Sequence, residues 1–125
     1  MLLFHEEFRA PIIRRAKTVT RRSNLAWRLK TIKVGRVHGA YVRPPWMGGE
    51  PFAQLLILGV TESDFLTVDE REARREGFQS VLAMRAYLLE THGGSYDFSE
   101  PVARIEFRIT KRTVLPATKR VGTSS

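Results

Sequence analysis

Phe52-Ala53-Gln54-Leu55-Leu56-Ile57-Leu58-Gly59-Val60 is a nearly continuous apolar run. It lies between the loop Trp46-Met47-Gly48-Gly49-Glu50-Pro51 and the polar triplet Thr61-Glu62-Ser63. A run this short reads as a strand, and its lack of alternation predicts burial on both faces. Toward the C-terminus, Val102 to Ile109 alternates strictly: Val102, Arg104, Glu106 and Arg108 point one way, and Ala103, Ile105, Phe107 and Ile109 the other. That is the period of a half-buried strand. Toward the N-terminus, Gly35 turns the chain into a strand at Val37–Val42 that ends at Pro44-Pro45. Thr18-Val19-Thr20 is β-branched and extended, and Leu2-Leu3-Phe4 reads as a short buried first strand.

Helices fall between these strands. Phe8, Ile12 and Ala16, with Ile13, share one helical face and predict a helix over residues 6–16, which Pro11 restricts to a start near Ala10. Residues 23–36 lack clear periodicity. Thr67-Val68-Asp69-Glu70 has the form of a capping box, with Thr67 as the cap of a short helix ending at Gly77. Ser80 caps a second helix whose positions Val81, Met84 and Leu88 face a core until Gly93-Gly94. Strands that precede, interrupt and follow helices, without regular βαβ units, predict an α+β fold: a small curled or closed sheet with helices packed at its edges.

The chain has 125 residues, 42% hydrophobic and 27% charged, which is the size and balance of one packed domain. The absence of cysteine removes disulfides, thiolate nucleophiles and Cys-ligated metals. Met1 to Glu7 has no basic stretch before its short apolar run, so neither a signal peptide nor a membrane span is predicted and the expected location is cytoplasmic. His5, His38 and His92 are isolated from other ligands, no GxGxxG or P-loop pattern occurs, and no metal or cofactor is implied.

The net charge of +8 conceals opposite blocks. Residues 1–45 carry eleven basic and two acidic groups (+9), residues 46–100 four and ten (−6), and residues 101–125 six and one (+5). If the two basic ends meet as neighbouring strands they form one positive surface suited to phosphates. Within the first block lies Lys17-Thr18-Val19-Thr20-Arg21-Arg22. Side chains alternate along a strand, so Lys17 and Thr20, three apart, reach one site only if Lys17 lies in the turn before the strand or a bulge re-aims one of them.

The order of these pieces resembles that of ASCH domains, a small PUA-like family. The resemblance rests on the apolar start, on K-T-x-T-x-R as Lys17 to Arg22, on Val34-Gly35 and on the apolar strand at 53–60. It continues with Leu66-Thr67, with A-x-x-E-G-F-x-S as Ala73 to Ser80, and with Arg104-Ile105-Glu106-Phe107. The resemblance implies a PUA-like β-barrel over residues 1–110, with helices at its edge and a cleft between, followed by a basic extension at 111–125 that frays at its end. It also implies an association with RNA or a nucleotide. Some small bacterial members remove the acetyl group from N-acetylated cytidine with the lysine and second threonine of K-T-x-T and the glutamate of A-x-x-E, which correspond to Lys17, Thr20 and Glu76. A ribonuclease activity has been ascribed to another member. The chain departs from the family pattern at Arg15, where many members have glycine, and at Arg36, where many have aspartate, and both changes favour a ligand carrying phosphate.

Two chemistries remain open for these residues. Thr20 attacks an amide carbonyl with Lys17 as its base and Glu76 holding the lysine or protonating the leaving amine; or Glu76 activates a water while Lys17 stabilises the oxyanion. A non-catalytic alternative has Lys17, Arg21 and Arg22, with Arg15 and Arg36 as further candidates, gripping phosphates of single-stranded RNA while Thr20 and an aromatic such as Trp46 or Tyr41 receive a base. A third has the basic tail docking an acidic protein.

Overall fold

The computed structural model describes residues 1–112. Of the extension expected at 111–125, residues 111 and 112 belong to the last strand, and 113–125 lie outside the described residues. Five strands, β1 (Leu2–Leu3), β2 (Val19–Arg22), β3 (Val37–Tyr41), β4 (Ala53–Ser63) and β5 (Val102–Arg112), form one sheet in the order β1-β3-β4-β5-β2. Only β1 and β3 run parallel. The long β4–β5 pair carries two register shifts, between Gln54 and Leu55 and between Ile57 and Gly59. Such irregularities bend and twist a strand pair, and the sheet curls into a half-barrel. Among the described residues, no helix is long and apolar enough to cross a membrane.

β4 is not buried on both faces as its composition suggests. Ala53, Leu55 and Ile57 point into the core, while Leu58 is exposed on the convex side. Leu58 falls at the second register shift, where it has no partner on β5, and its side chain is left in solvent.

The helical expectations need four changes. The first helix is shorter than 6–16: a 3-10 turn at Glu6–Phe8 precedes α1 (Arg9–Ile13), with Pro11 in its first turn, and the chain leaves α1 through Arg15 at φ 65°. α2 (Leu25–Thr31) occupies the stretch that shows no clear period, because its inward side is narrow: Leu25 and Ile32 reach the core while Trp27 and Leu29 are exposed. The cap of α3 (Glu70–Arg75) is Asp69, not Thr67. The Asp69 carboxylate accepts from the amide of Glu72, whereas Thr67 is drawn to Asp64, donating to it through both its amide and its hydroxyl; a carboxylate at the helix start also favours the helix dipole. Finally, Trp46 lies in a 3-10 turn at Pro45–Met47 rather than in an open loop. α4 (Val81–Thr91) begins at Ser80 as its sequence predicts, with the Ser80 hydroxyl accepting from Ala83.

Two apolar clusters hold the fold. One fills the half-barrel with Leu2, Phe4, Phe8, Ile12, Leu55, Ile57, Ile105 and Phe107. The other joins Phe65, Val68, Ala73, Met84, Leu88 and Val102 beneath α3 and α4. Phe78 packs against both, and the seam beside it opens into the cleft described next.

Candidate functional site

Lys17, Thr20 and Glu76 are the three buried polar or charged residues among those described, and all three line one cleft of about 1080 Å³. β2 starts at Val19, so Lys17 sits in the turn before the strand and its side chain shares the cleft with Thr20. That turn is pinned by main-chain bonds: Lys17 N donates to the Pro11 carbonyl, Thr18 N to the Arg75 carbonyl, and Phe107 N to the Thr18 carbonyl. Glu76 is the residue that closes α3, and its own carbonyl is one of those a helix end leaves without an internal partner.

Lys17 supplies that partner. Its Nζ donates to the Glu76 carbonyl at 2.6 Å, to the Val19 carbonyl at 2.8 Å and, more weakly, to Glu76 Oε1 at 3.5 Å. The three bonds account for the three protons of an ammonium. Its stem runs past Phe8, with Nζ 4.8 Å from the ring centroid, and past Gly77, where φ is +98° and an added Cβ would stand 3.2 Å from Lys17 Cδ. Burial pushes the ammonium down to about 8; the Glu76 charge opposes this, and Arg22 and Arg21 reinforce it.

Arg21 shares the Glu76 carboxylate with Lys17. Its guanidinium donates to Glu76 Oε2 at 2.7 Å, pairs with Glu72 at 2.8 Å and also bonds Asp64 O and Ser63 Oγ. Glu72 then meets Arg104, Arg104 meets Glu106, and Glu106 meets Arg75. An alternating chain of charges thus runs from the cleft floor across α3 and β5. Within it the Glu72 carboxyl is held down to about 2: burial acts against this and is outweighed by the Arg104 and Arg21 contacts.

The basic ends do meet, since β2 pairs with β5 and places Arg21 opposite Arg104. The acidic α3 neutralises much of that surface, however, so Arg21 belongs to the ion-pair chain and not to an open phosphate grip. Arg22 differs. It points into the cleft with Thr20, its Nε donates to Thr20 Oγ1 at 3.1 Å, and its guanidinium lies 4.6 Å from the Phe4 ring centroid.

The remaining sequence-based candidates fall outside the cleft. Arg15 lines a smaller groove with Ile12, Thr18 and Arg75. Arg36 is exposed in the turn before β3. Trp46 is exposed, and Tyr41 lies against Gly39. The aromatic side chains that do line the cleft are Phe4, Phe8, Phe65, Phe78, Tyr87 and Tyr96. Tyr87 meets Phe8 and Phe78 with ring centroids 5.5 and 5.3 Å apart. Its place on α4, three residues after buried Met84 and one before buried Leu88, marks it as a residue at the edge of the apolar face. His5 and His92 stand at the cleft wall; among the described residues no three His, Cys, Asp or Glu side chains group as metal ligands.

The fold is that of a small ASCH-like domain. It is similar to an ASCH domain from Lactobacillus crispatus JV V101, with 19% identity and TM-score 0.56 over 81% of this chain and 69% of that one. It is also similar to a variant of an ASCH protein from Zymomonas mobilis, with 16% identity and TM-score 0.56 over 94% and 76%. A protein of Enterococcus faecalis V583 assigned to the family DUF984 shares 12% identity and TM-score 0.61 over 90% and 80%. No protein-family model matches the chain, and no curated protein matches it.

Proposed function

We propose that this domain hydrolyses an amide on an N-acylated nucleobase held in the aromatic cleft, with N-acetylated cytidine as the model substrate. The observation that carries this reading is the convergence of Lys17, Thr20 and Glu76, from separate parts of the chain, as buried polar groups of one cleft. A lysine near 8 is about one-tenth neutral at pH 7, and a base poised near the working pH is the effective kind. The Val19 carbonyl that accepts from Lys17 Nζ belongs to the residue before Thr20, and both side chains line the same cleft.

In this mechanism neutral Lys17 takes the Thr20 proton and Oγ1 adds to the amide carbonyl. Donation from Arg22 Nε favours the developing alkoxide. As the carbon–nitrogen bond breaks, Lys17 returns the proton to the leaving amine. Water, deprotonated by Lys17, then cleaves the acyl-threonine ester and releases the acid, restoring Thr20. Glu76 orients Lys17 and is itself neutralised by Arg21, which favours the lysine-base assignment over Glu76 as the base for water.

The test is chromatographic assay of N-acetylcytidine with wild type, Thr20→Val and Thr20→Ser. Cytidine and acetate should appear with wild type, turnover should vanish with valine, and serine should keep part of it, all with unchanged circular dichroism. Wild-type turnover that survives Thr20→Val would remove Thr20 as nucleophile. A second reading, single-stranded RNA binding without turnover, draws support from the aromatic walls. It requires affinity that falls steeply with salt in a protein that releases no acetate.

A further inference from the structure

The cations around the cleft divide into two kinds. Lys17 and Arg21 are matched by Glu76 and Glu72. Arg22 and Arg28 are not: among the described residues neither forms an ion pair. Arg22 uses Nε on Thr20 and one face on Phe4, and its two terminal amino groups have no hydrogen bond among the described residues. Arg28, on α2, reaches the carbonyl of the cleft residue Ser23 at 3.4 Å and lies 4.8 Å over the Trp27 ring.

Because the Arg28 guanidinium reaches the main chain of Ser23, the residue that follows Arg22, both cations stand at the turn between β2 and α2; burial first and the Arg28 charge second lower Arg22 to about 10, with Glu76 opposing. Like charges brought together out of water are unfavourable unless an anion joins them. Besides Glu76, which Lys17 and Arg21 hold, the carboxylates on the cleft are Glu6, Asp97 and Glu100, from the turn before α1 and the segment after α4. Glu6 is taken by Arg9 and Asp97 by Ser99, and none bonds Arg22 or Arg28. The cleft is therefore polar end to end, with its unmatched positive charge on the β2–α2 side.

We propose that Arg22 and Arg28 form a phosphate subsite, so that the cleft takes a phosphorylated nucleoside with its phosphate on the β2–α2 side. This rests on the nucleobase reading above. Planar guanidinium forks suit phosphate oxygens. The phosphate belongs either to a mononucleotide or to an RNA strand, and in the second case Trp27, about half exposed beside Arg28, offers the neighbouring base a stacking surface.

Calorimetric titration at fixed ionic strength with cytidine, cytidine 5′-monophosphate, a short oligocytidylate and inorganic phosphate tests this in wild type, Arg28→Ala, Arg28→Glu and Trp27→Ala. Wild type should bind the monophosphate about tenfold or more tightly than cytidine, a ratio expected of charge-assisted phosphate contacts. The ratio should fall toward one in Arg28→Ala and below it in Arg28→Glu. Loss of oligocytidylate affinity alone in Trp27→Ala identifies the strand as the source; no loss identifies the mononucleotide. Equal affinities for cytidine and its monophosphate in wild type, or a ratio that Arg28→Glu leaves intact, overturn the subsite. If neither cytidine compound binds, the nucleobase reading fails, and the subsite is judged by inorganic phosphate: binding lost in Arg28→Glu supports it, and no binding in wild type overturns it.

Discussion

The Lys17 ammonium donates to the main-chain carbonyl of Glu76 at 2.6 Å, while the carboxylate of the same glutamate, 3.5 Å from that nitrogen, is held at 2.7 Å by Arg21. One residue thus serves Lys17 in two ways. The carbonyl fixes the lysine at the end of α3, and the carboxylate, shared with Arg21, offsets only part of the cost of burying it.

The first prediction concerns stability. The unfolded chain keeps the Lys17 proton to about 10.5 and the folded one only to about 8. Between those values the unfolded state binds more protons, so this residue's contribution to stability rises with pH; below 8 its full cost, about 3 kcal/mol, is present. Lys17→Met lacks that dependence. Urea unfolding of both proteins should show the wild type gaining about 3 kcal/mol relative to the variant between pH 7 and 10.5. A difference that stays constant with pH would refute the depressed value.

Arg21 should act on the lysine through Glu76. In Arg21→Gln the carboxylate loses its strongest partner, and the Lys17 titration, followed by carbon NMR at Cε, should move to higher pH. The acid limb of N-acetylcytidine turnover should move with it. Stability should fall by about 3–5 kcal/mol, the usual cost of breaking a buried pair from one side. A Lys17 titration that stays in place or moves to lower pH would show that Arg21 only braces β2 against α3.

Arg15 occupies a left-handed backbone position, φ 65°, where glycine is at ease. A side chain there costs about 1–2 kcal/mol, against which glycine loses about 0.5–1 kcal/mol more entropy on folding. Arg15→Gly should therefore be as stable as wild type or slightly more so, and Arg15→Val, β-branched, clearly less stable. Thermal melts of the three proteins check the order, and a glycine variant less stable than the valine one would contradict it.

Much of the local architecture is legible in the residues. Val102 to Ile109 declares its inward face by alternation, Ser80 declares the start of α4, and the apolar run from Phe52 declares β4. The failures are equally local in cause. α2 buries too narrow a stripe to show a clear period, and Thr67 resembles a cap until Asp69, a stronger acceptor at the helix start, takes the role. Tyr41 and Trp46 lie outside the cleft, whose walls are Phe4, Phe8, Phe78 and Tyr87, because which aromatic rings meet is set by tertiary packing and not by residue type.

By itself the sequence determined the alternation of strands and helices, the basic block that holds Lys17 and Thr20, and the acidic block that holds Glu76. Only the tertiary structure decided which charges meet. Arg21 and Arg22 are neighbours in the chain, yet β-strand alternation sends one to the carboxylates of α3 and the other to Thr20 and Phe4. The groups that await Arg21 lie on elements more than forty residues away, and no local pattern encodes that distance. The net charge of +8 is thus divided by arrangement: carboxylates match it at Lys17 and Arg21, and among the described residues it stays unmatched at Arg22 and Arg28.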